Sequence, residues 1–174
     1  MNDVLSEAIR KEINGDFEGA SKVYESAVCN KTTFWPAFVN LMVLYWQITD
    51  YGFWTDNNIS KVFLKKAQER LEDLLEQAKG STESIARFWA NYIEWVDVGQ
   101  EFPSKLAKDE FIDGYQNDSL VYHLATEKNQ DLMEKTRKAL KELRLDNSTR
   151  GRYLVSVMES HLSKSIEEKK LGSI

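Results

Sequence analysis

Apolar positions recur at helical spacing along almost the whole chain. Val4, Leu5, Ala8, Ile9 and Ile13 form one stripe and predict a helix over about Asp3–Asn14. Asn14-Gly15 ends it, because glycine adopts the left-handed cap conformation cheaply. Phe17, Ala20, Tyr24, Ala27 and Val28 predict a second helix to about Cys29, and so short a link makes the pair antiparallel. A third helix starts near Thr33 or Phe34, with Pro36 tolerated in its first turn, and continues through Phe38, Leu41, Met42, Tyr45 and Trp46. Residues 49–60 read as a connection carrying Phe53 and Trp54. Asp56-Asn57-Asn58 is the expected cap of a long fourth helix, about Ile59–Lys79, whose stripe is Val62, Phe63, Ala67, Leu71, Leu74, Leu75 and Ala78.

A fifth helix is expected from a cap at Ser81 or Thr82 to about Val98, with Ile85, Phe88, Trp89, Tyr92, Trp95 and Val96 inward and Gly99 and Pro103 as its stop. Further on, Ser104 begins a helix to Gly114 or Tyr115. Asp118-Ser119 begins a short one through Ala125, and Asn129-Gln130-Asp131 one to about Arg144. The last runs over about Thr149–Lys170 on Tyr153, Leu154, Val157, Met158, Leu162 and Ile166. No segment alternates as a strand does, so the predicted class is all-α, one domain over 1–174.

The pattern repeats itself. Gly15-Asp16-Phe17 returns as Thr49-Asp50-Tyr51 after 34 residues, and Ser21-Lys22-Val23-Tyr24 as Ser60-Lys61-Val62-Phe63 after 39. A period near this length is the mark of stacked helical hairpins. Ala8, Gly15-Asp16-Phe17, Ala20, Tyr24 and Ala27-Val28, followed by Phe38, Leu41, Tyr45, Asp50, Tyr51 and Phe63, resemble the tetratricopeptide repeat family over the first 79 residues. A looser third unit spans Phe88–Gly99, and no clear repeat follows Pro103. The second unit departs from the family by a five-residue insertion, by Thr49 in place of glycine and by its longer closing helix. Phe88-Trp89 with Tyr92, Glu94 and Trp95 also looks like the half-a-tetratricopeptide repeats of RNA-processing scaffolds. The resemblance implies a short right-handed solenoid over 1–103, with the helices of 104–174, the long last one among them, packing on it.

Composition narrows the function. The chain has 174 residues, 42% of them hydrophobic and 29% charged, and only 2 prolines, as expected of long helices in a globular core. Its net charge of −5 argues against an electrostatic grip on nucleic acid. The imbalance lies early, at −6 over residues 1–103 against +1 over 104–174. The longest near-apolar run, Phe34 to Trp46, is 13 residues, short of a membrane span. With an acidic start and no signal-peptide pattern, a cytoplasmic location is expected and no membrane partner. A single cysteine, Cys29, precludes an internal disulfide framework and reads as a small buried residue.

Chemistry is sparse. His123 and His161 stand in separate helical patterns with no ligand spacing around them, so no metal is expected. The carboxylates Glu94 and Asp97, and Asp109, Glu110 and Asp113, read as solvated helix faces. No phosphate loop or nucleophile elbow occurs, so neither a cofactor nor an enzyme is expected. The aromatics are the unusual element, with all 5 Trp between residues 35 and 95. In the family the first helix of each hairpin lines a concave groove. That geometry puts Leu5 and Ile9, then Val39, Val43 and Trp46, then Trp89, Ile93 and Asp97 on the groove of this chain. Leu5 and Ile9 occupy the places where family members clamp acidic C-termini, which argues against a carboxylate clamp. The expected function is a non-catalytic module that binds a protein or peptide through an apolar, Trp-rich surface of Val39, Val43, Trp46, Phe53, Trp54, Trp89 and Ile93. The alternatives are a small helical enzyme or ligand-binding protein with an aromatic-lined cavity, or a homo-oligomeric structural subunit.

Overall fold

A computed structural model describes residues 3–29, 34–103, 116–127 and 130–171, and among these every regular element is an α-helix. The expected single domain resolves into two compact units. The first is Met1–Phe102 with Ser148–Arg150, and the second is Pro103–Asn147 with Gly151–Ile174.

The first unit contains α1 (Asp3–Ile13), α2 (Phe17–Val28), α3 (Phe34–Thr49), α4 (Tyr51–Asp56), α5 (Lys61–Lys79) and α6 (Ser84–Val98). Between α1 and α2, Gly15 turns the chain at a φ of 75°. Asp16 caps α2 by accepting from the Gly19 amide at 2.9 Å. The same carboxylate accepts from Lys11 Nζ at 2.9 Å, a contact that holds Asp16 below the usual carboxylate range.

Side-chain pairs give the helix directions. Phe17, at the start of α2, meets Phe53, just beyond the end of α3, with ring centroids 5.1 Å apart. Farther along α2, Tyr24 Oη accepts from Asn40 Nδ2 in the first half of α3. The two helices are therefore antiparallel. Tyr45, near the end of α3, packs edge-on against Phe63 in the first turn of α5. Trp46 meets Tyr92, and its indole N–H donates to Asp97 at 2.9 Å, so α3 and α6 run parallel with their C-terminal ends together. One end of the unit thus gathers the C-termini of α1, α3 and α6, the N-termini of α2 and α5, and α4.

Helix α3 is the centre of the core. It carries no charged residue, and 11 of its 16 residues are buried against α2, α5 and α6. A helix apolar on all sides has to be buried all round. Around it Phe88 stacks on Tyr92, and Phe102 closes on Phe88 at 5.8 Å.

Three boundaries in the first unit differ from the sequence reading, and local capping explains two of them. Residues 49–60 hold a helical turn, α4, because Asp50 accepts from the Phe53 amide at 2.9 Å. Ser60 rather than Asp56-Asn57-Asn58 caps α5, through the Phe63 amide at 3.1 Å, while Asn58 takes a left-handed φ of 52°. Helix α6 starts at Ser84, and Ser81 Oγ instead accepts from the Glu83 amide in the preceding turn. Gly99 ends α6, as the sequence predicts, and takes the left-handed conformation there.

In the second unit α7 (Gln116–Thr126) packs on α8 (Gln130–Leu143), with Asn117 Nδ2 donating to Glu142 at 3.1 Å. Helix α9 (Thr149–Leu171) follows, and Arg144 pairs with Glu159 at 2.7 Å. Among the described residues of this unit, Leu120, Val121, Leu124, Leu132, Ala139, Leu140, Leu143, Leu154 and Met158 are buried and apolar. The expected helix over Ser104–Tyr115, with Asp109, Glu110 and Asp113, lies outside the described residues.

Candidate functional site

The expected groove residues divide. Val39, Val43, Trp46, Trp89 and Ile93 are all core, from 0% to 5% exposed. Their side chains present no surface to a partner, which corrects the groove reading. The cause is in α3 itself, where Val39 and Val43 belong to an apolar surface that runs right round the helix. Trp89 lies beneath an aromatic cluster, with Phe88 and Tyr92 at 5.9 and 5.6 Å. Phe53 and Trp54 behave differently. Both stand half-buried on α4, Phe53 edge-on to Phe17 and Trp54 edge-on to Tyr51 at 5.5 Å.

The sequence reading missed a set of exposed apolar side chains. In the first unit they are Ile13, Tyr51, Val62, Val96 and Val98, with Tyr51 74% and Val62 83% exposed. Ile13, Val62 and Val96 belong to the stripes that the sequence predicts to face inward. Each sits in the first or last turn of its helix, where a stripe drawn at constant spacing runs past the neighbouring helix. All five lie at the same end of the unit, the end that carries α4. Their signal in the sequence was position, since each falls within three residues of a predicted turn.

Several polar groups elsewhere are bound within the fold. Arg70 donates to both oxygens of Glu25 at 2.9 Å and to Asp73 at 3.0 Å, which raises its already high pKa. Tyr45 Oη donates to Glu25 at 3.2 Å, and burial, opposed by a hydrogen bond with Ser21, pushes the phenol up to about 12. Glu12, 2% exposed, accepts from Tyr24 Oη at 2.6 Å, from Thr149 Oγ1 at 2.5 Å and from the Thr149 amide. Glu94 pairs with Lys79, and Asp97 accepts from Trp46, so this carboxylate pair is tied into the fold.

His123 Nδ1 lies 2.8 Å from Glu127. Burial, helped by the Lys164 charge, lowers the pKa of His161. Cys29 is exposed, not buried as expected, because it falls after the last turn of α2, where its Sγ donates to the Glu25 carbonyl at 3.6 Å. Among the described residues no group of His, Cys, Asp and Glu is arranged to hold a metal ion, and no helix is long and apolar enough to cross a membrane. Compared with known proteins, the chain matches no family model, and no curated protein and no solved structure is significantly similar to it.

Proposed function

We propose that the chain is a non-catalytic interaction module, a short stack of tetratricopeptide-like hairpins that binds a protein or peptide. The observation that carries this reading is the gathering of exposed apolar side chains at one end of the first unit, beside the aromatic turn α4. Scattered surface apolars are ordinary, whereas several collected at one end of a helical unit suit a partner. The order of helix packing supports the hairpin stack: α1 on α2, α2 on α3, α3 on α5, α5 on α6, and α3 beside α6. Pairing of successive helices, with the first helix of one hairpin beside the first of the next, is how such repeats bury what one hairpin alone leaves exposed. The partner surface in this reading keeps Phe53 and Trp54 and replaces the buried groove residues with Tyr51, Val62 and Val98.

The test is affinity capture by the full chain from a lysate of its own source, followed by mass spectrometry, against a Tyr51→Asp/Val98→Asp chain. The expected outcome is a protein retained by the native chain and lost with the variant, whose helical circular dichroism is unchanged. Retention of nothing beyond the bare matrix would count against the reading.

A further inference from the structure

The end that bears α4 is acidic as well as apolar. The segments that close it are Ile13–Asp16, residues 49–60 and residues 95–103. They contain Asp16, Asp50, Asp56, Asp97 and Glu101, and no lysine or arginine. Lys11 pairs with Asp16, and the Lys22 charge also offsets that carboxylate. Asp50 uses one oxygen to cap α4, and Asp97 uses one for the Trp46 indole. A carboxylate has about four lone-pair sites, so both keep acceptor capacity. Asp56 and Glu101 are exposed. Arg10, exposed in the last turn of α1, and Lys61 and Lys65 on α5 flank this end, and Lys65 lies 3.8 Å from Glu69.

We infer that this end docks a basic amphipathic segment of another protein. The inference rests on the interaction-module reading and specifies the partner's chemistry. The segment's apolar side chains would lie on Tyr51, Trp54, Val62 and Val98, and its Lys or Arg side chains would reach Asp50, Asp56, Asp97 and Glu101. The charge pattern selects this occupant. An acidic partner or an anionic lipid surface meets like charge here. A second copy docking the same end face to face sets the same carboxylates against each other.

The probe is a pair of labelled synthetic helical peptides with one leucine pattern, their polar positions all Lys in one and all Glu in the other. Each is titrated into the full chain and followed by fluorescence anisotropy. The Leu/Lys peptide is expected to bind and the Leu/Glu peptide not to. Affinity should fall about tenfold in Asp56→Lys/Glu101→Lys and about tenfold in Tyr51→Ser/Val98→Ser. It should also weaken as added salt shortens the screening length from about 8 to about 3 Å. All four sites are exposed, and Asp56→Asn/Glu101→Gln, expected to weaken binding by a smaller factor, stands in if the reversed charges disturb folding.

Absence of Leu/Lys binding, equal binding of both peptides, or unchanged affinity in both double variants would overturn the inference. So would a concentration-dependent dimer in sedimentation that Tyr51→Ser/Val98→Ser abolishes, because the occupant would then be a second copy. Lysate capture that survives both double variants would leave the interaction-module reading standing while this surface falls. Capture and Leu/Lys binding both absent would remove the two together.

Discussion

Glu12 offers the sharpest test of how the first unit is held together. Its side chain is buried at the end of α1, and three donors converge on its two oxygens: Tyr24 Oη, Thr149 Oγ1 and the Thr149 amide. Thr149 and Tyr24 are themselves buried, at 3% and 0% exposure. Glu12→Ala removes the acceptor from all three at once and takes a negative charge from the start of a helix, where it is favourable. A hydrogen bond to a charged group contributes about 1.5–3 kcal/mol. Three would sum to more than the site can lose, because they share one carboxylate and water can enter the vacated space. The loss from breaking a buried, hydrogen-bonded charge is about 3–5 kcal/mol, a large part of a total of about 5–15.

Glu12→Gln keeps the volume and one acceptor oxygen but turns an NH2 donor toward other donors, so about half that loss is expected. Urea unfolding followed by tryptophan fluorescence is the assay, since all 5 Trp lie in the first unit. With a slope of about 1–3 kcal/mol per molar, the midpoint should fall by roughly 1–5 M in Glu12→Ala. A shift in Glu12→Ala worth less than about 1 kcal/mol would refute the reasoning, since the bonds would then contribute no more than exchange with water.

Three further outcomes follow from the same geometry. Trp89→Ala should destabilise the first unit by about 3–5 kcal/mol, read as a lowered melting temperature, because a fully buried indole leaves a cavity; near-neutral stability would return Trp89 to the surface. Tyr45 should ionise at about 12 rather than 10.0, a late step in an ultraviolet titration that Tyr45→Phe removes. Its folded-state value is raised, so the stability it contributes is whole below pH 10.0 and is lost as pH rises toward about 12. Gly15→Ala should cost about 1 kcal/mol in denaturant midpoint through left-handed strain alone, since an added Cβ meets nothing within 4 Å.

The all-helical class, the tight turn at Gly15 and the stop at Gly99 were legible in the residues, because apolar spacing and glycine conformation act locally. Helix α4 and the start of α5 were less so. Asp50 and Ser60 each compete with neighbouring cap formers, and which side chain reaches its amide depends on backbone angles that the sequence does not display. Burial at the expected groove was beyond local reading for another reason. Spacing says which side chains share a helix face, but not how many neighbours that helix will have. Packing among α2, α5 and α6 decided that Val39, Val43, Trp46, Trp89 and Ile93 are core. It also decided that Ile13, Tyr51, Val62, Val96 and Val98 stay in water, since a helix end extends past the partners that cover its middle.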